Sequence, residues 1–302
     1  MGTADAYPIG PVRVLVGAPA GGPLDIAARL IAPWLSERLG QPFQVDNLTG
    51  DHSNRAARTV RDAAPDGHTL LLCGPIYPIN NALNPDLDYV FTRDFAPVAG
   101  LFRVPLIVEV HPALPIHSVP DLLAYARGNP GKLRLAYAGL GTPQHVGIEL
   151  FKSMADVEFN MVSYLGSAPA LTDLLAGHAD LMFDPMPSSA ELAKCGQLRP
   201  LAVTSPTVCA ALPGVPAMSD FVPGYEAGSW FGLSAPLATP SDVVGRVNAE
   251  VNTGLADPTI KARIGELGGI ENAGTSADFG WFIAAEAAKY QDVIRATSIK
   301  AR

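Results

Sequence analysis

Cysteine is scarce in this 302-residue chain, which has only three: Cys73, Cys195 and Cys209. None forms a CxxC pair or stands at metal-ligand spacing from a histidine. An odd, small count argues against a disulfide framework. A single Cys195–Cys209 bridge stays open, because spacing alone does not supply the geometry a disulfide needs. Charge is also sparse. Asp, Glu, Lys and Arg make up 17% of the residues, against about 25% in ordinary soluble domains. The net charge is −8, with no basic run and no aromatics interleaved with basic residues, so no nucleic-acid partner is expected. No apolar stretch approaches the roughly 18–20 residues of a membrane span. Before Val12 there is neither a basic n-region nor an apolar h-region. That leaves two readings: a cytoplasmic protein, or one whose leader was removed and replaced by a start Met.

Catalytic signatures are missing as well. There is no GxSxG elbow, no HExxH, no GxxxxGK[ST] loop and no complete GxGxxG. Gly139-Leu-Gly141 begins a GxG, but the third glycine is not at the required spacing. The six histidines, His52, His68, His111, His117, His145 and His178, are scattered, and none is paired at metal-binding spacing. No catalytic residue, metal or cofactor is expected.

What the chain does have is three strand-to-helix turns made of small residues. They are Ala18-Pro-Ala-Gly-Gly-Pro-Leu-Asp25, Ala138-Gly-Leu-Gly-Thr-Pro-Gln-His145 and Tyr164-Leu-Gly-Ser-Ala-Pro169. Each follows an apolar run and precedes a helical pattern. Small residues let a ligand approach the backbone, and a helix N-terminus offers free N–H groups carrying partial positive charge. Turns of this kind converging on one cleft would bind an anion without Lys or Arg.

The rest of the pattern alternates short apolar runs with 3.6-residue spacing, which reads as α/β with largely parallel sheets. Strands are expected at Val12–Val16, Thr69–Cys73, Leu106–Val110, Leu133–Ala138, Phe159–Val162, Asp180–Phe183, Leu201–Thr204 and Trp230–Ala235. Pro23 suits the first position of a helix, which Pro33 should kink. Ser53 can cap a second helix. Ser118-Val-Pro-Asp121 resembles a capping box, and Gly128 closes the helix that follows. Thr142-Pro143 opens another, and one from about Ala168 to Ala176 follows the third turn. After residue 235 come three helical stretches, opened by Ser241, Asp257-Pro258 and Ser276, with no strand among them. Two lobes follow: 1–103 plus 229–302, and 104–228. Ligands of such folds bind at the carboxyl ends of strands.

Several candidates carry two readings. Asp25 is a first-turn carboxylate that caps and shapes its loop, or one that also accepts from a ligand amino group. His145 hydrogen-bonds nearby backbone, or contacts ligand directly. Asp184, between the apolar run Leu181-Met-Phe183 and Pro185, is a turn residue or a ligand contact. Tyr164 packs in the core or lines a pocket and donates its O–H. Cys73 lacks a partner that would lower its pKa, so it reads as a small apolar liner rather than a nucleophile.

At these turns the sequence resembles the substrate-binding proteins of tripartite tricarboxylate transporters, the Bug family. The likeness includes Tyr7-Pro8, Gly21-Gly22-x-x-Asp25, Ala64-Pro-Asp-Gly67, Asp94-Phe-Ala-Pro97 and Pro130-Gly-Lys132. It continues through Gly141-Thr-Pro-x-His145, Tyr164-x-Gly166, Ala168-Pro-Ala-Leu-Thr-Asp-Leu-Leu175 and Asp180-Leu-Met-Phe-Asp184. It ends with Leu201-Ala-Val-Thr-Ser205, Pro223-Gly-Tyr-Glu226 and Trp230-Phe-Gly-Leu233. Any one is weak; their shared order is highly specific.

The resemblance implies a two-lobed periplasmic binding fold, type II-like, closing around a small ligand, commonly a carboxylate held by backbone N–H groups and waters. It implies a periplasmic, non-enzymatic monomer without its signal peptide, working with membrane permease subunits. Matched positions imply ligand contacts at Ala18, Ala20, Gly21, Gly22 and Asp25. The segment after Cys73 adds Gly74, Ile76 and Asn80, matched in position but weakly in residue type. The other lobe adds Gly139, Gly141, Thr142, His145, Tyr164, Gly166 and Asp184. Two departures stand out. The family's first turn usually reads Pro-Phe-x-Pro-Gly-Gly, and Ala18 replaces the aromatic that would roof the ligand. The family's Asn-Arg-Pro-Gly-x-Gly-Gly stretch is here Asn47-Leu-Thr-Gly-Asp-His-Ser53, for which another loop conformation is expected. Both leave room for a neutral or aromatic amide or pyridine-type ligand, and the liganded state could serve a two-component sensor instead of a permease.

Overall fold

A computed structural model describes residues 7–297 and Ile299; the outer ends of the expected lobe ranges, at residues 1 and 302, lie outside the described residues. The chain divides into two compact units. One runs to Arg103 and resumes at Trp230–Ile264 and Ile270–Gln291. The other holds Val104–Ser229, with Gly265–Gly269 and the chain from Asp292.

The first unit opens with β1 (Val12–Val16), α1 (Pro23–Leu39), β2 (Phe43–Asn47), α2 (Asn54–Arg61), β3 (Thr69–Cys73), α3 (Ile76–Leu83) and α4 (Phe91–Asp94). Strand β1 pairs in parallel with both β2 and β3. Its Val14, Leu15 and Val16 are fully buried, as expected of a strand covered on both faces. Pro23 stands in the first turn of α1 behind the extended Gly22, and α1 runs on through Pro33 to a left-handed Gly40 that ends it.

Then comes β4 (Phe95–Val110), which is 16 residues long. Only its second half was expected. Pro97 and Gly100 hide the first half from a periodicity reading, and Pro105 interrupts it before the apolar Leu106–Val110 run.

The second unit continues with α5 (Val119–Gly128), β5 (Arg134–Tyr137), α6 (Pro143–Ala155), β6 (Asn160–Ser163), α7 (Ser167–Leu175), β7 (Leu181–Pro185), α8 (Met186–Lys194) and β8 (Arg199–Val203). Strand β5 pairs in parallel with β6 and β7, whereas β4 runs antiparallel to β7 and β8. Its core gathers round Phe151, which packs against Phe159, Phe183 and Tyr225. Full burial of such a ring contributes about 1.5–3 kcal/mol. The capping box of α5 forms as expected: the Ser118 hydroxyl accepts from the Asp121 N–H, and Asp121 accepts from the His117 N–H.

The chain returns through β9 (Gly228–Pro236), α9 (Ser241–Ala256), α10 (Pro258–Glu266), β10 (Ile270–Glu271) and α11 (Ser276–Thr297). Strand β9 is antiparallel to β3 and lies beside β4. Each unit is therefore a mixed α/β sheet: the expected parallel ladders, plus antiparallel pairs made by the long strands. Trp230 is buried against Phe279 and Phe282 of α11, which covers the first unit's sheet. The tail contains a strand after all. β10 is too short for any pattern, and its backbone pairs with Phe102 and Arg103. Gly268 belongs with the second unit because it approaches Met186 so closely that a Cβ there would lie 2.2 Å from Met186 Cγ.

One open question closes and one expectation changes. Cys195 is exposed and Cys209 half-buried, and both are free thiols. Ser53 precedes α2 but does not cap it; its hydroxyl donates to the Gly17 carbonyl 3.0 Å away.

Candidate functional site

In the first unit, the turn from Ala18 to Asp25 is fastened by its last residue. Asp25 is buried and accepts from the Gly21 N–H at 2.8 Å, from Arg29 Nε at 2.9 Å and from Asn47 Nδ2 at 2.9 Å. Burial pushes its pKa up, but the hydrogen bonds from Arg29, Gly21 and Asn47, with the Arg29 charge, hold it below the usual carboxylate value. Asn47 also donates to the Ala18 carbonyl. These contacts match the capping and loop-shaping reading of Asp25. Ala20 and Gly21 are exposed, Ala18 and Gly22 half-buried. Gly21 sits at φ +80°, which only glycine adopts at little cost.

Gly74, Ile76 and Asn80 follow β3. Gly74 is forced by contact: a Cβ there would lie 2.9 Å from the Trp230 carbonyl. Ile76 opens α3 and is half-buried. Asn80 turns inward and donates to the His52 carbonyl at 2.7 Å and to Asn54 Oδ1 at 2.9 Å. It thus braces the loop that precedes α2, in which Asp51, His52 and Ser53 all have positive φ.

In the second unit, Thr142 is the N-cap of α6: its hydroxyl accepts from the His145 N–H and donates to the Gly139 carbonyl at 2.7 Å. The Gly141 N–H donates to His145 Nδ1 at 3.3 Å. The imidazole stacks on Tyr137 with centroids 5.0 Å apart. Burial lowers its pKa, with Glu149 opposing and Lys152 assisting. An Nδ1 that accepts puts the proton of the neutral ring on Nε2. His145 therefore makes the backbone contact that was one of its two readings. The Tyr164 hydroxyl donates a hydrogen bond to Asp173 Oδ2 at 2.8 Å. Gly166, at φ +115°, precedes α7 without any side-chain cap.

Asp184 is fully buried at the end of β7 and takes hydrogen bonds from the hydroxyls of Ser167, Ser188 and Ser189. Burial raises its pKa to about 6, against the lowering effect of these serines. Gln144 Nε2 donates to Ser167 Oγ at 3.5 Å, which links the first turn of α6 to the first turn of α7. Sequence reasoning missed Gln144, Ser167, Ser188 and Ser189. A Ser-Ser pair four residues beyond a strand-end aspartate was the available signal, but it needs α8, which no apolar periodicity announced.

A family model described as the tripartite tricarboxylate transporter family receptor matches residues 27–299. The chain belongs to that family. The chain is similar to the R. palustris protein Rpa4515, solved with adipate, at TM-score 0.90 and 37% identity over 97% of this chain and 99% of that one. It is similar to MatC from Rhodopseudomonas palustris, solved with bound malate, at TM-score 0.85 and 29% identity, covering 95% of this chain and 100% of that one. A third similar structure is the periplasmic binding protein BugD, at TM-score 0.87 and 28% identity over 98% of this chain and 100% of that one. Bug-type solute-binding proteins are thus the receptor's relatives, as the sequence motifs implied. Among the described residues, no group of three or more His, Cys, Asp or Glu is placed to hold a metal ion. Cys73 is buried, and burial pushes its thiol up to about 12, so it stays protonated.

Proposed function

We propose that this receptor is a periplasmic, monomeric solute-binding protein that captures a small carboxylate and delivers it to the membrane subunits of a tripartite tricarboxylate-type transporter, without chemical turnover. One observation carries the reading. Two helices begin beside exposed or half-buried glycine turns with no side-chain cap: α1 behind Gly21–Gly22 and α7 behind Gly166. Uncapped first-turn N–H groups are donors in search of an acceptor, and the helix dipole favours a negative one. The family supports this reading, and so do the adipate and malate carried by two similar proteins. The first turn of α7 itself carries no acidic residue; the Asp184 carboxylate behind it is held by the Ser167 hydroxyl. The proposed contacts are the fifteen positions matched above from Ala18 to Asp184. Among them Asp25, Asn80, Thr142, His145 and Asp184 spend their side chains on shaping turns, leaving backbone N–H groups to meet the ligand.

A thermal-shift series with adipate, malate and citrate, set against nicotinamide and benzamide, tests the reading. A ligand at 100 times its Kd adds about 2.7 kcal/mol to stability, and it should be recovered unchanged after prolonged incubation. A shift with the amides alone would replace the carboxylate assignment, and conversion of the acid would replace the receptor assignment.

A further inference from the structure

Glu109 plays no part in the contacts described so far, yet it is fully buried in β4 with no basic group beside it. Its Oε1 lies 2.7 Å from Ser189 Oγ, and its Oε2 has no partner. The same Ser189 hydroxyl lies 2.8 Å from Asp184 Oδ2. A hydroxyl has one proton to give, so it cannot donate to both acids. Asp184 is the better hydrogen-bonded of the two, with Ser167 and Ser188 also donating to it. Glu109 has only Ser189. Two carboxylates joined through one hydroxyl, without a cation, do not both ionise in a buried site. The proton belongs on Glu109, whose O–H then donates to Ser189, leaving Ser189 to donate to Asp184. Burial, followed by the Asp184 charge, pushes Glu109 well above the usual carboxylate range, in the same direction.

We propose that Glu109 is a positioning residue: as a neutral acid it donates through Ser189 to an ionised Asp184, and that carboxylate holds the Ser167 hydroxyl turned inward at the first turn of α7. The consequence for capture rests on that turn being a ligand site. While Asp184 is ionised, the turn offers an anion its backbone N–H groups only. When Asp184 takes up a proton, Ser167 is released as a further donor. Capture at this turn is then tightened by acid.

Other charged groups on the elements packed against β7 are engaged elsewhere. Arg134 of β5 pairs with Asp180. On α6, His145 faces Glu149, and Lys152 pairs with Glu149 and Glu158. Asp173 of α7 holds Tyr164 and His178. Lys194 of α8 pairs with Glu191. Arg199 of β8 donates to the carbonyls of Pro112, Leu114 and Ile116. The proton balance is therefore set between Glu109 and Asp184.

The test is a carboxyl-carbon NMR titration of the full chain without ligand, from pH 4.5 to 8. Glu109→Gln and Asp184→Asn assign the two resonances. Glu109 should stay protonated throughout. Asp184 should titrate near pH 6, with that midpoint unmoved in Glu109→Gln, whose amide still donates to Ser189. Ser167→Ala and Ser189→Ala should each raise the midpoint by about one pH unit, the size of a lost hydrogen bond to a charged group. An ionised Glu109 at neutral pH, or an Asp184 midpoint indifferent to Ser167→Ala, overturns the proposal. Calorimetry with adipate and malate on the same proteins judges the ligand reading separately. If neither acid gives heat while the midpoints move as stated, the hydrogen-bond chain stands and the carboxylate assignment falls.

Discussion

The backbone N–H of Gly21 donates to Oδ2 of Asp25 across 2.8 Å, so a carboxylate in the first turn of α1 closes the turn that leads into it. Gly21 and its neighbours owe their shape to a side chain four residues on. Asn47 and Arg29 hold that same carboxylate from two other directions.

Replacing Asp25 by Asn should therefore loosen the turn and change the acid limb of stability. The folded-state pKa of Asp25 is below the unfolded value of about 3.9. Its contribution is present above that value and is lost as pH falls through the folded one. Urea unfolding of Asp25→Asn should show a loss of about 1–3 kcal/mol at pH 7, and the gap to wild type should narrow below pH 4. A constant gap across pH would mean that Asp25 is not ionised in the folded chain.

Gly166 separates backbone geometry from space. A Cβ there meets nothing within 4 Å, but φ is +115°. Gly166→Ala should cost about 1–3 kcal/mol through strain alone and should weaken carboxylate capture. Gly214 is a control of the same kind, with a positive φ of +87° and open space around it, outside the candidate turns. Gly214→Ala should lower stability comparably and leave capture intact, read by calorimetry beside urea denaturation. Equal effects on capture would remove the turn before α7 from the site.

His145 gives a second pH signature. Burial places its pKa below the unfolded value of about 6.5, so the unfolded chain binds the proton first. Stability from the neutral ring is complete above that value and falls as pH drops toward the folded one. Asp184 slopes oppositely, since its folded pKa of about 6 exceeds its unfolded value: its contribution is present at low pH and is lost as pH rises through 6. The His145 effect is thus read as the difference from His145→Gln, which should shrink between pH 7 and 5. His145→Ala should weaken capture less than Gly166→Val; a complete loss would make the imidazole a direct contact.

Much of the scaffold was legible because its signals are local. Val14, Leu15 and Val16 are a buried apolar run, Pro23 and Thr142 mark helix starts, and Ser118 with Asp121 writes a cap within four residues. The first half of β4 and all of β10 were hidden because their pairing partners lie far away in sequence. Of the candidate site, the glycine turns were visible as composition. The work of Asp25 and His145 was visible as one of two readings, and that of Thr142 as a helix opening, since a first-turn polar residue has backbone N–H groups within reach.

Where the chain turns from strand to helix is written locally, because φ, capping and periodicity are set within a few residues. The absence of Lys and Arg from the three turns is equally a matter of sequence. Glu109, Ser189, Asp184, Ser167 and Gln144, by contrast, become one connected set through packing alone. Glu109 lies in β4 and Asp184 in β7, 75 residues apart in the chain, and they meet only because the two strands pair. A carboxylate in an apolar strand has no meaning in one dimension. Burial without a counter-ion, which is a property of the packed fold, makes it a proton carrier.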